Sequence, residues 1–156
     1  MSTSVQLEPG NAAHVDELVA VMDESFDPEF GEAWTAAQCA GLLPMRGVWL
    51  TLARREGRTL GFTLGRIIID EAELLLLAVR RSAQRQGIGA TLLQSFERTA
   101  AVRGASKVHL EVREGNPAAS LYAAADFHEV GRRRDYYSGK QGHMYNAITL
   151  AKKVKL

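Results

Sequence analysis

Apolar residues recur with helical spacing in four stretches of the chain, and the residues that flank these stretches are typical helix ends. Asn11 and Thr35 are favourable N-caps, Gly104 is a favourable stop, and Asn116-Pro117 combines a cap with a first-turn proline. The pattern predicts helices over residues 12–22, 36–43, 90–103 and 117–125.

The other apolar stretches alternate with polar residues or run continuously, as strands do. They predict strands over residues 5–7, 48–54, 59–69, 73–80, 107–113, 127–133 and 145–152. Glu56-Gly57 is a hairpin signal, and the apolar run from Leu74 to Val79 suits a central strand buried on both faces. Because hairpins flank a strand–helix–strand unit, we expect one α/β (α+β) domain with a mixed sheet.

Length and composition fit such a domain and exclude several other classes. The chain has 156 residues, of which 46% are hydrophobic and 24% charged, so it can bury a core without disulfides or a structural metal. Its single cysteine, Cys39, excludes an internal disulfide framework and is expected to pack within the second helix. The histidines show no ligand spacing, so no metal site is predicted.

Charge and hydropathy predict a soluble cytoplasmic protein. The formal net charge of +1 gives no global field for nucleic acid or a membrane, no apolar run could span a bilayer, and Met1-Ser-Thr lacks signal-peptide features. The charges are uneven, however: residues 1–45 hold eight acids and no Lys or Arg, whereas residues 131–156 hold seven basic residues. Two interpretations are open, namely two solvated faces or an acidic wall facing a cationic ligand.

The most informative segment lies between the predicted strand 73–80 and the helix 90–103. It reads Gln84-Arg85-Gln86-Gly87-Ile88-Gly89-Ala90. Its glycines allow backbone N–H groups to approach a ligand closely, and the following helix directs its positive end at the same point. These features indicate a phosphate-binding turn, although an ordinary tight strand–helix turn also uses glycine. The segment lacks the Gly-Lys-Ser/Thr of a Walker loop and the third glycine of a dinucleotide fingerprint.

In this position the segment resembles the coenzyme A pyrophosphate loop, Gln-x-x-Gly-x-Gly/Ala, of the GNAT superfamily of N-acyltransferases. The resemblance covers roughly residues 45–150 and is strongest over 74–137. It includes Leu76-Leu-Ala-Val79, Leu110-Glu-Val-Arg113, Asn116-Pro-Ala-Ala-Ser-Leu-Tyr122 with Phe127, and Arg133-Arg-Asp-Tyr-Tyr137. Within the superfamily the chain looks most like the ribosomal-protein N-alanine acetyltransferases. This implies a GNAT-like, mostly antiparallel sheet flanked by helices, one acetyltransferase domain over residues 1–156, and acetyl-CoA as cofactor.

The resemblance also implies where the cofactor binds. The backbone amides of residues 86–90 should hold the pyrophosphate, in a site formed by Gln84, Arg85, Gln86, Gly87, Ile88, Gly89 and Ala90. The backbone of Leu77, Ala78 and Val79 should bind the pantetheine arm as an additional strand, and a bulge there would direct an N–H at the thioester carbonyl. Asn116 should contact the cofactor near its thiol.

Two side chains match the family's proton-handling groups. Glu111 matches the proposed general base, acting directly or through water, and Tyr122 matches the general acid that lies against the cofactor sulfur. Each has a simpler interpretation, a solvated strand carboxylate for Glu111 and a helix-surface tyrosine for Tyr122. His109, on the same face of the strand as Glu111, could substitute as the base.

The implied acceptor is the α-amine of a protein N-terminus. Its ordinary pKa of about 7.7–8.0 leaves a useful neutral fraction at pH 7. Tyr137 and the loop to Gly142 correspond to the part of the family that clamps the acceptor peptide. A small amine, such as a polyamine, aminoglycoside or amino acid, is the alternative acceptor. Outside enzymes, the alternative is a non-catalytic acyl-CoA sensor. The oligomeric state is not predicted.

Three positions depart from the family pattern. Tyr145-Asn146-Ala147 stands where the family usually has Glu-Asp-Ala, and this departure bears on the acceptor side. Ala125-Asp126-Phe127 replaces Leu-Gly-Phe, so Asp126 is expected to adopt the left-handed conformation of that glycine. Leu76 replaces a polar residue in the strand before the loop, and neither of these two changes touches the expected cofactor site.

Overall fold

The computed structural model describes residues 4–154, which form a seven-stranded sheet of order β1-β2-β3-β4-β5-β7-β6. The strands are β1 (Gln6–Gly10), β2 (Val48–Arg55), β3 (Arg58–Ile68), β4 (Glu71–Val79), β5 (Lys107–Arg113), β6 (His128–Ser138) and β7 (Met144–Lys153). All neighbouring pairs are antiparallel except β4 and β5, which are parallel. The predicted mixed, mostly antiparallel sheet is therefore confirmed. The features noted at Met1-Ser-Thr, and the basic residue Lys155, lie outside the described residues.

Helices cover both faces of the sheet: α1 (Val15–Ser25), α2 (Ala36–Leu42), α3 (Ile88–Val102) and α4 (Ala119–Ala124). On one face, α1 and α2 pack against β2, β3 and the end of β4, in a core that contains Leu18, Met22 and Phe62. On the other face, α3 and α4 enclose a core around Phe96 and Leu110. Cys39 is buried within α2, as predicted. No helix within residues 4–154 combines the length and apolar content needed to cross a membrane.

Strand β4 changes its register halfway along, and this decides which side chains face which core. The pairing with β3 shifts between Leu74 and Leu76, which leaves Leu75 as the extra residue of a β-bulge. Ala72 and Leu74 pack in the core under α3, whereas Leu76 and Ala78 pack in the core under α1. In a regular strand these four side chains would share one face. The bulge therefore lets one strand serve both cores.

The parallel strands β4 and β5 part after four residue pairs. Their pairing runs from Glu71 with Lys107 to Leu74 with Leu110 and then stops. Beyond this point β5 continues to pair with β7, while residues 75–79 of β4 keep only β3 as a neighbour. A gap therefore opens in the middle of the sheet, at the carboxyl ends of both strands.

Among the boundaries that differ from the prediction, three have clear local reasons. The β3–β4 turn is Ile69-Asp70 instead of Asp70-Glu71, with Ile69 at a φ of +59°. Strand β1 reaches Gly10, because an edge strand tolerates the proline that precedes it. Strand β6 reaches Ser138, well past the predicted residue 133, because residues 134–136 bulge away from β7 and hide the alternation that marks a strand.

Asp126 adopts the left-handed conformation expected of it, with a φ of +69°. Replacing Asp126 by alanine should lower the free energy of unfolding by about 1 kcal/mol, because aspartate tolerates this conformation better than alanine does. Replacement by glycine, which adopts it without strain, should cost less than the alanine variant. Urea denaturation of the three proteins measures the difference. Equal losses for alanine and glycine would show that the carboxylate itself, rather than the backbone conformation, is what matters.

Candidate active site

A cleft of about 790 Å³ lies where β4 and β5 diverge. It is lined by both strands, the glycine-rich turn before α3, the start of α4, and the segment between α1 and α2. All but one of the residues to which the resemblance assigned cofactor binding or proton transfer line it: Leu77, Ala78, Val79, Gln84, Arg85, Gly87, Ile88, Gly89, Ala90, Glu111, Asn116 and Tyr122. The exception is Gln86, whose side-chain oxygen accepts a hydrogen bond from Arg55 at 3.0 Å.

The glycine-rich turn forms one end of the cleft and is open to it. Gly87 has a φ of +80° and directly precedes α3, which begins at Ile88, two residues earlier than predicted. A Cβ built on Gly87 would have no atom within 4 Å, so the space over this residue is free. The N-terminus of the 15-residue α3 and the side chains of Arg81 and Arg85 bring positive charge to this end. Such an end suits a phosphate or pyrophosphate group.

The middle of the cleft is bordered by a strand edge without a partner. Residues 75–79 of β4 line the cleft, and on this side β4 is no longer paired with β5. The bulge at Leu75 lies two residues before the segment 77–79 for which the resemblance implied one. The Gln84 side-chain amide donates to the Val79 carbonyl oxygen at 3.1 Å, which holds the end of the strand against the turn. A free strand edge of this kind suits an extended ligand that carries its own amide groups.

The Glu111 side chain is buried at the cleft wall, with 8% of it exposed, so the alternative of a solvated strand carboxylate is wrong. Both carboxylate oxygens have partners. Thr149 Oγ1 donates to Oε2 at 2.7 Å, and Arg133 Nε lies 3.3 Å from Oε1. His109, the alternative base, lies 3.9 Å from the Glu73 carboxylate and is not among the residues that line the cleft.

Tyr122 of α4 also lines the cleft and is 6% exposed, so it is not a helix-surface tyrosine. Its ring packs edge-on against Phe127, with 5.9 Å between the ring centroids. Its hydroxyl makes no hydrogen bond with the part of the chain that the structure describes. Burial, with a smaller contribution from the Glu32 carboxylate, raises the pKa of Tyr122 above its ordinary value. The phenol therefore stays protonated at neutral pH and can donate a proton inside the cleft.

Two charged residues of the site were not predicted from the sequence. Glu32, from the segment between α1 and α2, and Arg113, at the end of β5, line the cleft with side chains 10% and 8% exposed. Their closest atoms, Glu32 Oε1 and Arg113 Nε, are 3.3 Å apart. Asn116 Nδ2 donates to Glu32 Oε2 at 2.6 Å. The alternation of strand β5 could have pointed to Arg113, but no pattern marks Glu32, which lies 84 residues from Asn116 in the chain.

Two loops meet at the side of the cleft away from the glycine-rich turn. A Cβ on Gly31 would clash with the Ser138 carbonyl oxygen, so the segment between α1 and α2 touches the end of β6 directly. The Phe30 ring packs edge-on against Tyr145, with 5.2 Å between centroids. The Asn146 side-chain oxygen accepts a hydrogen bond from the backbone of Asp135 at 3.1 Å. Both residues of the Tyr145-Asn146 departure thus have packing partners within this chain.

Tyr136 and Tyr137 of β6 line the cleft beside these loops. The Tyr137 hydroxyl donates to the Glu111 backbone carbonyl at 3.3 Å, and burial raises the pKa of Tyr137 above its ordinary value. The two rings pack edge-on, with 4.9 Å between centroids. Together with Trp34, which also lines the cleft, they give this end an aromatic lining.

The acidic N-terminal segment does not form a single wall at the cleft. Only two of its eight acids, Asp27 and Glu32, line the cleft. Three others pair with arginines elsewhere in the fold: Glu8 and Glu17 with Arg54, and Glu24 with Arg80. With Glu32, which faces Arg113, half of the eight acids are therefore paired with arginines within the protein. Residues 4–154 contain no group of three or more His, Cys, Asp or Glu side chains arranged to hold a metal ion.

A sheet split between parallel strands, with a glycine-rich turn and a helix N-terminus at the head of the gap, defines a protein of the GNAT class. Comparison with known families agrees. The model of the family described as "Acetyltransferase (GNAT) family" matches residues 15–127, and the chain belongs to this family.

Two individual relatives within this family carry the same kind of name. A curated Salmonella typhimurium protein named ribosomal protein bS18-alanine N-acetyltransferase is 38% identical over 97 residues, which are 62% of this chain and 65% of that protein. The alignment thus spans just under two thirds of the relative. The crystal structure of the Escherichia coli ribosomal-protein-S18-alanine N-acetyltransferase superposes with a TM-score of 0.85 at 25% identity, covering 97% of this chain and 95% of that one.

A third match concerns the fold alone. The crystal structure of Arabidopsis thaliana NAA60 in complex with acetyl-CoA has a TM-score of 0.81 at 16% identity, covering 96% of this chain and 98% of that one. The predicted membership of the GNAT superfamily, and the resemblance within it to the ribosomal-protein N-alanine acetyltransferases, are confirmed by these matches.

Proposed function

We propose that this protein is an acetyl-CoA-dependent N-acetyltransferase whose acceptor is the N-terminal α-amine of a protein, of the ribosomal-protein-alanine type. The observation that carries the proposal is the cleft itself. It presents a phosphate-binding end, a free strand edge, and then the carboxylate of Glu111 and the phenol of Tyr122. The name of the Salmonella relative supports the choice of acceptor.

The residues of the cleft fit acetyl-CoA along its length. The pyrophosphate matches the N-terminus of α3 and the arginines Arg81 and Arg85. The pantetheine arm carries two amides, and these match the unpaired edge of β4. The acyl end then falls between β4 and β5, where Glu111, Asn116 and Tyr122 line the cleft.

When bound, acetyl-CoA supplies an acetyl group activated as a thioester, with a thiolate as the leaving group. Glu111 accepts a proton from the acceptor ammonium, directly or through a water molecule, so that the amine nitrogen gains a free electron pair. Tyr122 donates its phenolic proton to the sulfur, a role that suits a protonated hydroxyl without another partner. A backbone N–H of β4 near the bulge at Leu75 donates to the acyl oxygen. The amine nitrogen forms a bond to the acyl carbon while the bond from that carbon to sulfur breaks. In becoming an amide the nitrogen loses two protons, the first to Glu111 and the second to the Tyr122 phenolate or to solvent. Tyr122 thereby regains the proton that it gave to the sulfur, Glu111 returns its proton to solvent, and one proton is released per turnover.

An α-amine is the easier acceptor for this arrangement. Its ordinary pKa of about 7.7–8.0 means that a weak base suffices, whereas a lysine amine, with an ordinary pKa of about 10.4, is almost fully protonated at pH 7. The aromatic lining around Trp34, Tyr136 and Tyr137 supports a peptide as the acceptor, because it offers apolar surface next to the reacting end.

Thiol release from acetyl-CoA tests the proposal. The acceptor is a basic peptide with a free N-terminal alanine and an internal lysine, and the matched control is the same peptide with its N-terminus blocked. We expect turnover with the free peptide and less than about 1% of that rate with the blocked one, because only the lysine amine remains available. Mass spectrometry then places the acetyl group on the alanine.

Three other results would support a different acceptor or a different function. Equal turnover of the blocked peptide would make lysine the acceptor. Turnover of spermidine or an aminoglycoside, with neither peptide used, would support the small-amine alternative. Binding of acetyl-CoA without turnover of any amine would favour an acyl-CoA sensor.

A further inference from the structure

The Glu32 carboxylate occupies a position in the cleft that the proposed reaction leaves without a role. It belongs to the segment between α1 and α2, yet it reaches across to β5 and to the start of α4. Arg113 faces one of its oxygens at 3.3 Å, and the Arg113 guanidinium in turn lies 3.6 Å from the centre of the Phe30 ring. A buried carboxylate held this way has a defined orientation, because Arg113 matches its charge and its other oxygen accepts a hydrogen bond from Asn116.

Asn116 is the residue that this orientation affects. The Asn116 side-chain oxygen accepts a hydrogen bond from the Ala118 backbone N–H at 2.8 Å, and Nδ2 donates to Glu32 at 2.6 Å. Rotating the amide by 180° would face its oxygen to the carboxylate and its NH₂ to the Ala118 N–H, so both contacts would become repulsive. Glu32 and Ala118 together therefore fix which end of the amide is the donor.

The amide nitrogen has a second hydrogen, and this hydrogen makes no bond with the described part of the chain. Because Asn116 lines the cleft, the fixed amide has one N–H left to offer a ligand there. Its oxygen is already engaged at the start of α4. Any contact between Asn116 and a ligand is thus a donor contact, and it selects a ligand atom that accepts, such as a carbonyl oxygen.

We propose that Glu32 is a positioning residue: it turns the Asn116 amide so that an N–H points at a carbonyl oxygen of the acyl-CoA arm. This inference rests on the proposed function, since that arm is assigned to the same cleft. Glu32 acts through Asn116 and does not touch the reacting atoms. Its carboxylate also links the segment between α1 and α2 to Arg113, at the end of β5, and to Asn116, just before α4.

An exchange of the two side chains tests this role. In the double variant Glu32→Gln with Asn116→Asp, the new amide donates to the new carboxylate and accepts from Arg113, and the carboxylate still accepts from Ala118. The net charge and the hydrogen bonds of residue 116 are kept, and Arg113 then faces a neutral amide oxygen with the carboxylate one side chain further away. Position 116 has no N–H for the ligand. The single variant Glu32→Ala removes the positioning contact and leaves Arg113 without its partner, so it should be less stable than the exchange variant.

The readouts are the melting temperature without ligand and the dissociation constants for acetyl-CoA and for 3′,5′-ADP, measured by calorimetry. The nucleotide carries the adenosine, the 3′-phosphate and one of the two pyrophosphate phosphates of coenzyme A but not the arm, so it does not reach position 116. We expect the exchange variant to melt between the wild type and Glu32→Ala, bind 3′,5′-ADP as the wild type does, and bind acetyl-CoA about tenfold more weakly. Glu32→Ala should show the same tenfold loss at a lower melting temperature.

The outcomes distinguish a residue that positions the Asn116 amide from one that only holds the loop in place. Wild-type affinity of the exchange variant for acetyl-CoA would overturn the inference and make Glu32 a residue that only fastens the loop. A parallel loss of affinity for 3′,5′-ADP would overturn it as well, because the damage would then be general. If Glu32→Ala does not fold, the exchange variant alone decides. Failure of the wild-type protein to bind acetyl-CoA would instead overturn the proposed function, and the inference with it.

Discussion

Replacing Gly87 by leucine should abolish acetyl-CoA binding, with a loss of affinity of at least about 100-fold. The backbone at Gly87 has a φ of +80°, and the space above it is free of protein atoms. A leucine side chain would fill the space through which the backbone N–H groups at the start of α3 reach a phosphate. It would also strain the left-handed backbone and shift the turn. Calorimetry with acetyl-CoA measures the loss directly.

Gly104 provides a matched control at the other end of α3. Its φ is +100°, and a Cβ there would also meet no atom within 4 Å, so Gly104→Leu carries the same kind of backbone strain. It is not among the residues that line the cleft. The control variant should lose stability but keep its affinity for acetyl-CoA within about threefold. If the two variants lose affinity equally, strain in the protein explains the effect, and the turn is not the phosphate site.

Replacing Tyr122 by phenylalanine should lower kcat by a factor of about 10² to 10³ while the dissociation constant for acetyl-CoA changes by less than about threefold. The substitution removes one hydroxyl that has no internal partner, so neither packing nor folding should suffer. The ring keeps its edge-on contact with Phe127. Steady-state kinetics with the free-amine peptide, beside calorimetry with acetyl-CoA, separate the two effects. A matching loss in rate and in affinity would assign Tyr122 to binding instead of proton donation.

The pH dependence gives a second test of the same role. Burial raises the pKa of Tyr122, and its acid form is the protonated phenol, so that form is complete below the ordinary tyrosine pKa of about 10. Loss of the donor with rising pH should therefore appear only above pH 10. A fall in kcat between pH 8 and 9 that disappears in Tyr122→Phe would contradict this expectation.

The features predicted well from the sequence are those that short segments determine. Glycine spacing next to a helix start marked the turn at Gly87, and strict alternation marked β5 with Glu111 on its polar face. The left-handed conformation of Asp126 was expected because the resemblance places a glycine at this position. In each case the signal lies within a few residues of the feature it predicts.

The features that were missed depend on contacts between distant segments. Glu32 lies in an irregular loop, and only the folded chain brings it to Asn116. The resemblance implied a bulge at residues 77–79, but its actual position at Leu75 leaves no mark in an unbroken run of leucines, because every residue on either face is apolar. The far half of β6 escaped detection because an exposed edge strand has no buried face to impose alternation.

The bulge at Leu75 also limits how this strand can evolve. Before the bulge, Ala72 and Leu74 face the core under α3; after it, Leu76 and Ala78 face the core under α1. Deleting or inserting one residue between Ala72 and Ala78 would turn the side chains of half of the strand to the opposite face of the sheet. Substitutions among aliphatic residues leave each side chain on its own face of the sheet, whereas a change in length by one residue does not. The segment from the hairpin to the glycine-rich turn therefore behaves as a block of fixed length, and the lengths of the surface loops around it are free of that constraint.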